Sequence, residues 1–218
     1  MSNIIKLVQL DKALLKPYYK YFLVMIFATV PMMFGFKAII PSIVFAMSMI
    51  AMTSNYTFSV AEKNDLNRLY GLLPVSKKDI VAGRYFFTAI IGFVAIAIMV
   101  VLNLIVLTIA KVTITNEEVL LGIGSGIIVY FLFTAIQLPG LFKFGSLKGR
   151  LFSFVPFIGI FSASASLNSI RISDTSPSFS LEILNSPYAL LIFAVLTGVV
   201  LYGISLGISQ KIYDKMEL

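Results

Sequence analysis

"AEKNDLNRLYGLLPVSKKDIVAGRYFF" runs from Ala61 to Phe87 and holds eight of the 27 Asp, Glu, Lys and Arg residues in a chain of 218. Uncharged runs of 17 residues or more lie on both sides of it. At 1.5 Å per residue such runs match the hydrocarbon thickness of a bilayer. Hydrophobic residues are 59% of the chain and charged ones 12%, against roughly 45–50% and 25% in a soluble domain. The expected fold is therefore all-α, a polytopic membrane domain formed by residues 1–218, and the stretch is a polar island between two of its spans.

Six spans are expected, near 20–36, 38–60, 85–110, 119–141, 151–170 and 188–209. Spans one and two are joined by a tight turn at Lys37, with Pro31 and Pro41 expected to kink or break the flanking helices. The first residues, "MSNIIKLVQLDKALLKPYYKYFLV", do not read as a secretory signal, because Lys6, Asp11, Lys12 and Lys16 interrupt the apolar residues. Plotted at 100° per residue, Ile4, Leu7, Val8, Leu10, Leu14 and Leu15 share one side, and Lys6, Gln9, Lys12 and Lys16 the other. Ile5 and Asp11 break the pattern. Residues 1–19 are thus an amphipathic interface helix, either a surface anchor or an elbow acting on span one.

Charge sets the orientation. With six spans, 14 of the 17 basic residues fall on one face, leaving Lys37, Lys111 and Arg171 for the other. The positive-inside rule then puts both termini in the cytoplasm, so the net charge of +7 is a topology signal and not a mark of nucleic-acid binding.

Catalytic chemistry finds little support. Histidine and cysteine are absent, which removes the commonest general base, thiol chemistry and the usual transition-metal ligands. "GLFKFGSLKGR" (140–150) lacks the Lys-Ser/Thr of a phosphate loop, and "GIGSG" (122–126) has no base for its serine. Glu117–Glu118 reads as a solvated acidic loop. The most polar side chains within the spans are Asn55, Asn103 and Gln137, the candidates for a mildly polar path; no ionisable group marks an ion-coupled carrier. Gly122/Gly126 and Gly203/Gly207 have the spacing of close helix packing.

The island is too long for a mere connection. Residues 61–84 hold a polar helical run, Gly71 and Pro74 as a stop and turn, and Ser76 as N-cap with Asp79 three residues on. "LNRLYGLLPVSKKDIVAGRYF" resembles the first cytoplasmic loop of ABC-2-type transporter permeases, six-span subunits that pair with a separate ATPase. The resemblance rests on Glu62, Asp65, Leu69, Leu72, Leu73, Pro74, Val75, Ser76, Lys77, Lys78, Asp79 and Tyr85. It implies that this loop is a coupling helix docked on the ATPase through those loop residues and Arg68. It also implies that a second permease subunit, identical or paralogous, completes the path. ATP and magnesium would then be bound by the partner, and this chain would carry no cofactor and no metal of its own. The external loop 171–187 would hold short re-entrant helices. Such a chain would sit in the bacterial cytoplasmic membrane and export an amphipathic peptide, bacteriocin, antibiotic or lipid. The other reading is a non-transporting immunity, assembly or sensor protein that uses the same loop for another cytosolic partner.

Overall fold

The computed structural model describes residues 3–66, 69–70, 74–156, 158 and 187–215. Among them every regular element is helical: α1 (Asn3–Leu15), α2 (Tyr19–Phe36), α3 (Ile39–Ala51), α4 (Ser54–Lys63), α5 (Lys77–Ile109), α6 (Asn116–Gly149) and α7 (Pro187–Asp214), with 3-10 turns at Lys16–Tyr18 and Arg150–Ser153. Four helical stretches are long and apolar enough to cross a membrane: Ile39–Lys63, Lys77–Ile109, Asn116–Pro156 and Leu191–Asp214. A fifth arises if α1 and α2, bent by 72° at their junction, count as one broken span. Most of the expected fifth span and of the loop 171–187 lies outside the described residues, as do Arg68, Leu72 and Leu73.

Local chemistry explains the helix ends. Lys37 takes a left-handed conformation (φ 50°) and its N–H closes α2 on the Met33 carbonyl at 3.3 Å. Pro41 lies in the first turn of α3, where a missing N–H leaves no bond unmade, so it helps to start that helix instead of kinking it. Pro31 sits inside α2, which continues past it. The second span, expected as one helix, is divided between α3 and α4. Thr53 Oγ1 and N–H both donate to the Ile50 carbonyl (2.6 and 2.9 Å), a tight turn that ends α3. At the start of α6, Thr115 and Glu118 form a reciprocal capping box. Glu118 is therefore half of a cap, a more specific role than the solvated acidic loop expected of it.

The main core lies between α3, α5 and α6, around Ile43, Met47, Met99, Leu107, Tyr130 and Phe133. Gly122 and Gly126 make this approach possible. A Cβ on Gly126 would stand 2.7 Å from Ile43 Cγ2, and one on Gly122 would stand 3.1 Å from Ile43 Cδ1. The first GxxxG pair thus seats α6 on α3. Among the described residues no atom lies within 4 Å of such a Cβ on Gly203 or Gly207, so the second pair seats none of the described helices.

Outward surfaces are apolar. Phe93, Val94, Val101 and Ile105 on α5 and Leu196, Val199, Val200 and Ile204 on α7 are all more than half exposed. In water such continuous faces would drive association; they suit contact with lipid chains. The chain is membrane-embedded.

Candidate functional site

The bundle has one strongly polar end, where α1, the end of α4, the start of α5 and the last turns of α6 and α7 converge. The opposite end brings the Lys37 turn beside residues 112–114 and Glu118, around a cavity of about 130 Å³. Lys37 and Lys111 thus lie at the far end, as the charge pattern requires.

The island has two faces. Leu66, Tyr70 and Ile80 turn inward and pack with Phe58, Leu141 and Tyr213. Asp65, Leu69, Pro74, Ser76 and Lys78 are exposed, and Val75, Lys77 and Asp79 are half-buried. Asp65 adopts a left-handed conformation (φ 48°), and its N–H bonds the Glu62 carbonyl at 3.2 Å as α4 ends. Ser76 is the N-cap of α5, accepting the Asp79 N–H at 3.1 Å. Lys77 reaches α7, donating to the Asp214 carbonyl at 3.3 Å.

Glu62 is occupied within the chain. Its carboxylate accepts the Ser146 N–H at 2.6 Å and the Ser146 hydroxyl. It does so at a break in α6, where Gly145 sits at φ 73°, ψ −177°. That backbone favours glycine, and a Cβ there would stand 2.7 Å from Glu62 Oε1. The first basic-end loop is therefore latched to the second through a carboxylate that restarts the interrupted helix.

The strongest feature was not legible as a site. Arg84 is only 5% exposed although it reads as a loop charge, and Asp11, the exception on the apolar face of α1, is 2% exposed. They pair at 3.6 Å. Arg84 Nη1 also donates to the Thr57 carbonyl at 3.1 Å, and its guanidinium lies 4.8 Å above the Phe58 ring. Burial pushes the Asp11 carboxyl above the ordinary carboxylate range, while the guanidinium pulls it back. Leu7 rests where α5 is cut down to Gly83; a Cβ there would meet Leu7 Cβ at 3.0 Å. Arg84 thus ties α5 to α1 and α4.

The next residue ties α5 to α7. The Tyr85 hydroxyl lies 2.7 Å from both Ser205 Oγ and Ser209 Oγ. Ser205 spends its proton on the Ala135 carbonyl at 2.6 Å. Tyr85 therefore donates to Ser205, and Ser209 donates to Tyr85. Tyr202 donates to the Tyr85 carbonyl at 2.7 Å, so hydroxyls carry this polar contact without any charge.

The three path candidates are enclosed in this arrangement. Asn55 Nδ2 donates to Ser153 Oγ at 2.9 Å, and Asn103 Nδ2 to the Met99 carbonyl at 2.9 Å. Asn103 and Gln137 are fully buried. The Oδ1 atoms of both asparagines and both amide atoms of Gln137 have no hydrogen-bond partner among the described residues. No group of three or more acidic side chains gathers as a metal site among the described residues.

These features define a helical membrane protein whose polar end is organised around one loop. The chain belongs to the ABC-2 family transporter proteins, whose family model matches residues 6–214. No curated protein and no solved structure matches it. Membership makes it a membrane permease of a kind that is normally non-catalytic and works with an ABC ATPase in the membrane.

Proposed function

We propose that this chain is the permease subunit of an ATP-driven exporter, coupled to a separate ATPase through residues 61–84. The observation that carries the reading is the two-sided island. Its inner residues Leu66, Tyr70 and Ile80 anchor it to the bundle core, while Asp65, Leu69, Pro74 and Lys78 stay exposed. A push on that surface passes into α5, which runs for 33 residues from its Ser76 cap, and through Glu62 and Lys77 into α6 and α7. Six spans, cytoplasmic termini and a bacterial cytoplasmic membrane complete the topology. A second permease subunit, identical or paralogous, closes the path.

The cargo is amphipathic: a peptide, a bacteriocin or other antibiotic, or a lipid. The absence of ionisable groups deep in the spans and the mildly polar Asn55, Asn103 and Gln137 support that class over free ions. Unpaired buried amides cost on the order of 1–3 kcal/mol each. They favour a second arrangement in which the bundle opens along them.

The test co-expresses the permease with its ATPase, using Pro74→Gly and a Lys77→Glu/Lys78→Glu pair. Both variants are expected to insert normally yet lose cargo-stimulated ATP hydrolysis by about tenfold, the effect of losing roughly 1.4 kcal/mol of coupling. Unchanged stimulation in both would count against the reading. Copurification of some other cytosolic protein, lost when residues 62–79 are scrambled, would favour the non-transporting alternative.

A further inference from the structure

We propose that the cleft between the last turns of α6 and α7 is a binding site for an anionic phospholipid. Its volume is about 420 Å³, and it is lined by Lys143 from α6, by Ile208, Lys211 and Ile212 from α7, and by Lys215 just past the end of α7. That is within the roughly 300–1,000 Å³ of small-molecule sites.

Helical spacing builds the site. Ile208, Lys211 and Ile212 stand at i, i+3 and i+4 and share one face of α7, and Lys215 follows in the closing turn, its N–H bonded to the Ile212 carbonyl at 3.3 Å. Tyr213 is turned away and packs edge-on against Phe142. The isoleucines form an apolar floor with lysines beside and beyond it. The three lysines are exposed, and no carboxylate of the described residues lies within ion-pair distance of them. Lys143 is instead 5.1 Å over the Phe144 ring.

The position suits a lipid. The apolar outer face of α7 continues down to Ile208, 48% exposed, and charge begins one turn later at Lys211. This is the boundary between acyl chains and headgroups. Ile208 at the acyl level, Ile212 at the boundary and three ammonium groups at the phosphate level match both halves of the ligand. Inorganic phosphate would use the lysines but have no use for the floor. Basic pockets between spans are a known form of lipid headgroup site. The site depends on the chain being in a membrane and not on what it transports.

The test is native mass spectrometry of detergent-solubilised, monodisperse full-length protein titrated with phosphatidylglycerol or phosphatidylcholine. Wild type is expected to retain phosphatidylglycerol about a hundredfold better, and the Lys143→Gln/Lys211→Gln/Lys215→Gln triple to lose that preference, since each lysine near a headgroup is worth about a fivefold change in affinity. Lys12→Gln/Lys63→Gln/Lys78→Gln removes the same charge from exposed positions at the same end and is expected to keep the preference. Equal loss in both triples would overturn the site in favour of diffuse attraction. Displacement of the lipid by millimolar inorganic phosphate would overturn it in favour of a free-anion site. An unaltered preference in the first triple, whether or not it loses ATPase binding, would overturn it as well.

Discussion

Helices α6 and α7 carry the same glycine spacing in opposite surroundings. Gly122 and Gly126 are met by Ile43 of α3, which leaves no room for a side chain at Gly126 and little at Gly122, while Gly203 and Gly207 meet no described residue. The spacing marks where another helix can come close. Whether that helix belongs to the same chain is decided by topology: α6 is enclosed by α3, α5 and α7, whereas among the described residues α7 packs on α6 and α5 and leaves its other side uncovered. Its bare side is where a second permease subunit would sit in the proposed assembly.

Filling the occupied pair should do the most damage. Gly126→Leu is expected to lower stability in detergent by about 3 kcal/mol, the upper range for overpacking a close contact, and a thermal unfolding scan would read it. An unchanged midpoint would mean that α3 and α6 are not held as described. Tyr85→Phe tests the other tie of α7. It removes the proton given to Ser205 and the oxygen that receives Ser209, at a cost of about 1–2 kcal/mol. Lost protection of α7 amides in hydrogen exchange would show it. Gly203→Leu is expected to change monomer stability by no more than about 0.5 kcal/mol, as for an exposed site, yet to disturb association of permease subunits. Loss of monomer stability with association intact would erase the contrast between the two helices.

Features built from neighbouring residues were legible in the sequence. The Lys37 turn and the Ser76 cap depend on a few adjacent positions, and both stand where the pattern puts them. The Thr115–Glu118 cap is equally local, and its spacing stands in the sequence, but two adjacent glutamates fit a solvated loop as well as a cap. The break at Thr53 carries no proline or glycine to announce it; only a side-chain bond to Ile50 does. Links distant along the chain were a different matter. Asp11 was visible as an anomaly on an apolar face, but nothing in α1 names Arg84. Glu62 stood out as a loop charge, and its real engagement is with Ser146 at a helix break that Gly145 alone could not signal. The Gly122/Gly126 spacing marks a close contact without naming Ile43 as its partner, and the Gly203/Gly207 spacing meets no described residue.

The buried Asp11–Arg84 pair has a mechanical consequence. Separating the two would leave the Asp11 carboxylate without its cation in a desolvated place, a penalty of about 3–5 kcal/mol, while Arg84 keeps the Thr57 carbonyl. Sliding α5 along its axis is therefore far easier if α1 travels with it. Because α1 is short and sharply bent from α2, it behaves as a clutch plate: engaged, it makes two helices share one stroke, and slipping requires the guanidinium to let go.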